Sequence, residues 1–297
     1  PVHAGRLEPG GVGVRVLVTG AGGLLAQAVV PALEAAGHAV VACDRATLDV
    51  TDAAAVRAAV AKAKPDWLCH LAAYTNVDGC ETEVERAFLV NGLGARNAAV
   101  AAHDVGAAVL HVSTDYVFPG NDPTPRREHD AVGPLSVYGR SKWAGEEGVR
   151  TTNPRHAIVR TAWLYGRGGR NFVDTIRDRA LAGGPLAVVD DQHGAPTWTG
   201  DLALALVAVM ERRAYGTLHA TNSGACTWHE FAVEICRLAG AKVEVAAISS
   251  STLSRPARRP SWSVLHLGTL EHVLGRPMPD WRDALARYLA APTGARV

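Results

Sequence analysis

R-V-L-V-T-G-A-G-G-L-L-A, residues 15–26, decides the fold. Residues 15–19 form a short β-branched run that stops at glycines, the mark of a buried parallel strand. Residues 24–36 follow with helical periodicity and stop at Gly37, a suitable helix C-cap. The alternation then continues. Residues 39–43 read as a second strand, and Thr51 and Asp52 can cap a helix running to residue 63. Residues 67–72 read as a third strand, 83–103 as a helical stretch broken near Asn91 and Gly92, and 107–113 as a fourth strand. A helix over 138–149 and a strand over 157–160 follow. Strand and helix in turn predict an α/β fold with a doubly wound parallel sheet.

The glycine turn itself carries chemistry. Glycines between a strand and a helix let the backbone approach a pyrophosphate, and the helix N-terminus adds N–H donors and positive dipole. Gly20, Gly22 and Gly23 stand there, with Ala26 where a third spaced glycine would complete the fingerprint. Such a loop also occurs for purely structural reasons; its place after the first strand favours a Rossmann-type dinucleotide site. The second strand ends at Asp44-Arg45. An acid there suits the ribose 2′-OH of NAD and a base suits the 2′-phosphate of NADP, so having both leaves the choice open. Arg45 also fits an ordinary loop ion pair. Asp49 fits a place near the adenine, and Asp52 is more simply a helix cap.

Beyond Trp163 the pattern loosens, with turn signals at Gly166, Gly168, Gly183-Gly184 and Gly194 around short elements. The expected organisation is a flexible tail over 1–13, then a dinucleotide-binding lobe over 14–165 with a return segment near 195–215. A smaller α/β substrate lobe takes 166–194 and 216–297. Of the 297 residues 48% are apolar and the formal charge is +1, so no basic field exists to hold nucleic acid or an anionic membrane. Any phosphate-bearing partner must be held by a local site. No apolar run is long enough to span a bilayer, and residues 202–210, bracketed by Asp201 and Glu211, read as a buried helix. Cys43, Cys69, Cys80, Cys226 and Cys236 are odd in number and lack a C-x-x-C pair, which points to reduced thiols in a cytoplasmic protein. His193, His219 and His229 fit no standard ligand spacing, so no metal is expected.

Tyr138 and Lys142 lie four residues apart in a helical stretch and share a face. An ammonium beside a phenol stabilises the phenolate and draws its pKa down from about 10. A Y-x-x-x-K pair alone is a common accident. Here it follows a strand ending in Ser113-Thr114-Asp115, where a hydroxyl is expected to meet a substrate carbonyl.

S-T-D-Y-V-F at 113–118 and P-L-S-V-Y-G-R-S-K-W-A-G-E at 134–146 resemble the dTDP-4-dehydrorhamnose reductase family. So do L-A-A-Y-T-N-V-D at 71–78, V-N at 90–91, R-T-A-W-L-Y-G at 160–166 and N-F at 171–172. The likeness continues through D-D-Q-H-G-A-P-T at 190–197, T-W-H-E-F-A at 227–232 and A-R-R-P-S-W-S at 257–263. It covers nearly the whole chain from Val14. The departures are Ala26 in the glycine loop and His70, where the family commonly has asparagine; His70 reads as a strand residue with a satisfied imidazole.

The resemblance implies an NADPH- or NADH-dependent oxidoreductase that passes hydride to C4 of a dTDP-linked 4-keto-6-deoxy sugar, as a monomer or homodimer. Carried over, Tyr138 is the general acid, Lys142 lowers its pKa and positions the ribose, and Thr114 polarises the carbonyl. Cofactor contacts are implied for Gly20, Gly22, Gly23, Leu24, Leu25, Asp44, Arg45, Asp49, Val50, Leu71, Ala72, Ala73 and Tyr74, with Tyr138 and Lys142. Substrate contacts are implied for Thr75, Val77, Thr114, Asp115, Tyr116, Trp163 and Arg259. Tyr116 and Trp163 are also readable as core aromatics, and Arg259 as a surface arginine beside Pro260; Gln192 and Thr197 belong to a loop expected to order the sugar pocket. Two alternatives stay open: a reductase for another 4-keto-6-deoxy sugar nucleotide, and a non-catalytic dinucleotide-binding subunit resembling the regulatory one of methionine adenosyltransferase.

Overall fold

A computed structural model describes residues 13–291. The tail expected over 1–13 lies, save for Gly13, outside the described residues. In chain order the first half runs β1 (Arg15–Thr19), α1 (Ala26–Ala35), β2 (Ala39–Cys43), α2 (Ala53–Ala63), β3 (Trp67–His70), α3 (Val77–Thr82) and α4 (Val84–Ala87). A π-helical turn (Phe88–Leu93) leads into α5 (Gly94–Asp104), then β4 (Ala108–Thr114), α6 (Val137–Thr152) and β5 (His156–Thr161). The second half runs β6 (Leu164–Tyr165), α7 (Phe172–Leu181), β7 (Leu186–Val189), β8 (His193–Gly194), β9 (Thr197–Trp198), α8 (Thr199–Glu211) and β10 (Gly216–His219). It ends with β11 (Cys226–Thr227), α9 (Trp228–Leu238), β12 (Val245–Ile248), α10 (Gly268–Leu274) and α11 (Trp281–Ala290).

The main sheet has the order β2-β1-β3-β4-β5-β10 and every pair is parallel. Val16 and Val18 face one apolar core with Val29, Leu33, Leu202 and Leu206; Leu17 faces another with Val56, Val60, Ala98 and Val149. A strand buried on both faces has no room for polar alternation, which is why β1 reads as a solid apolar run. The strand order reverses between β1 and β3, and the crevice at that point, outside the carboxyl ends of the strands, is where such sheets bind ligands. A third core, built from Tyr165, Phe231, Trp281 and Tyr288, holds the C-terminal elements together.

Several expectations change in detail. The return to the main sheet goes further than 195–215: α8 packs on the sheet face as a helix, and β10, beyond that segment, adds the edge strand beside β5. The helix expected to break at Asn91-Gly92 instead widens there into a π turn, and a short helix, α3, precedes it. Within that turn Asn91 is fully buried and its side chain is spent inward. It accepts from the Tyr74 N–H (2.7 Å) and donates to the Tyr74 carbonyl (3.0 Å) and Ser141 Oγ (2.9 Å). π turns often sit beside functional sites; this one ties the chain leaving β3 to helix α6. Asp52 caps α2 through Ala54 N and Ala55 N, as its sequence position suggests.

Candidate active site

Gly20 sits at φ +73°, and a Cβ there would meet the Ala72 nitrogen at 2.6 Å. Only glycine allows β1 to turn this close to the chain leaving β3. At Gly22 a Cβ would meet nothing nearer than the Asp44 Cβ at 3.8 Å, so the loop backbone lies open. Open backbone at the start of α1 fits a dinucleotide pyrophosphate. Ala26 is buried and accommodated without a glycine.

This loop forms one end of a cavity of about 1220 Å³. Every residue expected at the cofactor or the substrate lines it, from Gly20 through Asp44, Arg45, Tyr74, Thr75 and Val77 to Trp163, with the single exception of Arg259. Asp44 is half-buried just past the end of β2, its carboxylate held by the Thr47 N–H and hydroxyl (both 2.9 Å), and these bonds keep its pKa low. Asp49 accepts from Thr51 in the same way.

Tyr138 and Lys142 occupy the first two turns of α6. The start of that helix is fixed from two sides: Ser136 Oγ accepts from Gly139 N (3.1 Å), and Glu81 on α3 accepts from Val137 N (2.8 Å). A Cβ at Gly139 would collide with the Tyr116 carbonyl at 2.3 Å, so the helix presses on the chain after β4. Lys142 is buried. Its Nζ donates to the Val112 carbonyl (2.7 Å) and meets His111 Nε2 at 3.4 Å. Burial lowers its pKa to about 8, with Glu146 opposing. Burial, then the Lys142 charge, drives the His111 pKa far down, so the ring is neutral and accepts at Nε2. His70 stacks on His111 (ring centroids 5.3 Å apart) and pairs its Nδ1 with Thr19 Oγ1 at 2.8 Å. Its other nitrogen has no partner, so the imidazole is only half satisfied.

One expectation reverses. The Tyr138 pKa is raised rather than drawn down. Burial of a phenolate is the largest cause, with the Thr114 hydroxyl opposing it, and the Lys142 ammonium is engaged by Val112. A phenol that keeps its proton at neutral pH is a loaded acid. Thr114 Oγ1 donates to Asp115 Oδ1 (2.9 Å) and accepts from Tyr116 N (3.2 Å). Asp115 is buried, which lifts its pKa to about 6 against bonds from Ser263 and Thr114. The Tyr116 ring meets Tyr138 edge-on at 5.6 Å. Trp163 is stacked on Trp228.

Arg259 stands outside the lining. Its guanidinium forks onto Asp78 (2.8 and 3.1 Å), and Asp78 also accepts from Ala257 N. The bidentate geometry a phosphate would use is here satisfied by a carboxylate. The three histidines lie apart: His193 stacks on Trp262, His219 sits in β10 beside Arg160, and His229 pairs with the Val245 carbonyl. Among the described residues no group of three or more His, Cys, Asp or Glu is placed to hold a metal, and no helix is long and apolar enough to cross a membrane. Sequence reasoning gave no role to His111, Glu81 or Asn91. Only Asn91 carried a signal, in the V-N dipeptide; a strand histidine and a cap supplied from another helix have none.

Fold and site together define a nicotinamide-dependent oxidoreductase of the short-chain dehydrogenase type. The chain belongs to the RmlD substrate binding domain family, which matches residues 14–293. It is 46% identical over 287 residues to a dTDP-4-dehydrorhamnose reductase of Streptomyces griseus, covering 94% of each chain. It is 43% identical over 275 residues to a probable dTDP-4,6-dihydroxy-2-methyloxan-3-one 4-ketoreductase of Streptomyces antibioticus, covering 92% of this chain and 93% of that one. Among solved structures it resembles the dTDP-4-dehydrorhamnose reductase of Bacillus anthracis in complex with NADP. The TM-score is 0.91 at 37% identity, over 94% of this chain and 99% of that one.

Proposed function

We propose that this chain reduces the C4 keto group of dTDP-4-dehydro-6-deoxy-L-mannose to give dTDP-L-rhamnose, with NADPH or NADH as reductant. The observation that carries this reading is the convergence of Thr114, Tyr138 and Lys142 in a single cavity that begins at the glycine loop and ends at Trp163. The loop backbone from Gly20 to Leu25 would hold the pyrophosphate, and Lys142 the nicotinamide ribose. The dinucleotide, when bound, supplies the hydride that adds to the sugar C4. Tyr138 delivers its phenolic proton to the C4 oxygen, so one hydride and one proton convert the ketone to the alcohol. Thr114 hydrogen-bonds the same oxygen and polarises it. Lys142, one helical turn away, stabilises the phenolate left behind. Asp115, Tyr116 and Trp163 line the sugar end of the cavity.

A second reading, a reductase for another 4-keto-6-deoxy sugar nucleotide, is favoured by the Streptomyces antibioticus relative, whose name gives a different keto substrate at nearly the same identity. Purified protein mixed with reduced nicotinamide and dTDP-4-dehydro-6-deoxy-L-mannose decides between them. Oxidation stoichiometric with the keto sugar, and absent without it, supports the first reading. Oxidation only with another stereoisomer moves the assignment to the second. A protein that binds dinucleotide yet leaves it reduced with every keto sugar offered is a binding subunit instead.

A further inference from the structure

Trp163 is one of three non-glycine residues with positive φ among the described residues, at +49°. A bulky residue in the left-handed region persists only where its surroundings over-determine it. Here they do so from two directions. Its indole lies on that of Trp228 with centroids 3.6 Å apart and planes within 9°. Gly194 lies against the indole itself: a Cβ there would fall 2.4 Å from Cε2 and 2.6 Å from both Cζ2 and Nε1. The two contacts belong to one unit. Strand β8, which carries Gly194, pairs antiparallel with β11, Gly194 opposite Cys226 and His193 opposite Thr227. Thr227 is the N-cap of α9, closes a capping box with Glu230, and donates its hydroxyl to Asp190 (2.7 Å); Trp228 is the next residue. Phe172 packs on Trp228 at a tilt, ring centroids 4.7 Å apart. Trp163 lines the cavity, whereas Gly194 and Trp228 do not.

We propose that Gly194 and Trp228 are positioning residues: they clamp Trp163 at the sugar end of the cavity and so set affinity for the keto sugar without touching it. The inference rests on the reading of this cavity as a sugar-nucleotide site. An aromatic wall that is already immobile loses no rotamer freedom when a sugar packs on it. A wall free to turn would also leave the C4 carbonyl less well aligned with Tyr138.

Two stacked indoles give an exciton couplet in circular dichroism, so the clamp is visible apart from turnover. Trp228→Ala and Gly194→Ala are expected to abolish the couplet and raise KM for the keto sugar about ten-fold, leaving NADPH affinity unchanged. Trp228→Phe, which keeps a ring under Trp163, removes the couplet but restores most of the sugar affinity. It also serves where the alanine variant does not fold. In either alanine variant, loss of the couplet with an unchanged KM overturns the proposal, as does a parallel loss of NADPH affinity. Calorimetry with dTDP-glucose separates the clamp from the function. If the wild type oxidises no NADPH, the functional reading fails while the binding comparison still decides the clamp; if the wild type binds no dTDP-sugar, both fail.

Discussion

The two ends of the cavity are built by different means. At the glycine-loop end, positions are set by the main chain: six parallel strands, the turn at Gly20, and the first turns of α6. At the Trp163 end, which the proposed function gives to the sugar, they are set by side chains that reach between distant segments: Trp163 on Trp228 and, outside the lining, Arg259 on Asp78. Main-chain geometry is shared by every protein with this sheet, while side-chain contacts belong to the individual chain. Cofactor binding and proton transfer should therefore tolerate changes at the sugar end, and sugar affinity should be the quantity that those changes move.

The sharpest test of that division is Tyr138→Phe. It should lower kcat by about 10²- to 10⁴-fold, the span that general acids contribute, with NADPH affinity kept, as read by fluorescence titration. Turnover at the wild-type rate would remove Tyr138 as proton donor and break the comparison at its centre. Next in size is Asp78→Asn. Breaking the carboxylate fork frees Arg259 and the segment around Ala257, and KM for the sugar nucleotide should rise by about ten-fold without change in that for NADPH. An equal rise in both constants would show that the two ends are not independent.

Titration probes the glycine-loop end from inside. Lys142 has its pKa lowered to about 8, so it is an ammonium below that value and loses its charge as pH rises through it. The groups around it are Glu146 on its own helix, neutral His111 on β4 and neutral His70 on β3. Between the Asp115 and Lys142 transitions, at about pH 6 and about pH 8, the expected profile of kcat/KM is level, and it falls above pH 8; a flat profile beyond pH 10 would contradict the role of the ammonium. Replacing His111 with Phe removes one acceptor from Nζ and should move that limb to lower pH, a smaller effect than losing the charge. Smallest of all, Arg45→Ala should lower the NADPH-to-NADH preference a few-fold, since an exposed arginine reaches a 2′-phosphate through solvent.

The same division explains what could be read from the sequence. The sheet, the glycine turn and the Tyr–Lys helix follow from periodicity and from residues adjacent in the chain, and all three lie where residues 15–26 and 138–142 place them. Specific short motifs carried the family. Periodicity was blind to contacts between elements far apart in the chain. Nothing in the spacing of Trp163 and Trp228 says that they stack, and nothing near Arg259 says that its partner is Asp78, 181 residues earlier. The π turn at Asn91 looked like a break because a helix that bulges and one that stops share the same interruption. The raised pKa of Tyr138 is illegible in the sequence for the same reason. A lysine four residues away is visible in a sequence, whereas burial, the largest cause of the shift, is a property of the fold.

The central claim is that hydride reaches C4 of a dTDP-linked sugar while Tyr138 supplies the proton. Reduced nicotinamide carrying deuterium at its C4, incubated with the protein and dTDP-4-dehydro-6-deoxy-L-mannose, tests this directly by NMR of the product. Deuterium bound to the sugar C4, in dTDP-L-rhamnose formed one-for-one with oxidised cofactor, is the predicted result. Oxidised cofactor without deuterium at that carbon, or label at another carbon of the sugar, would contradict the account.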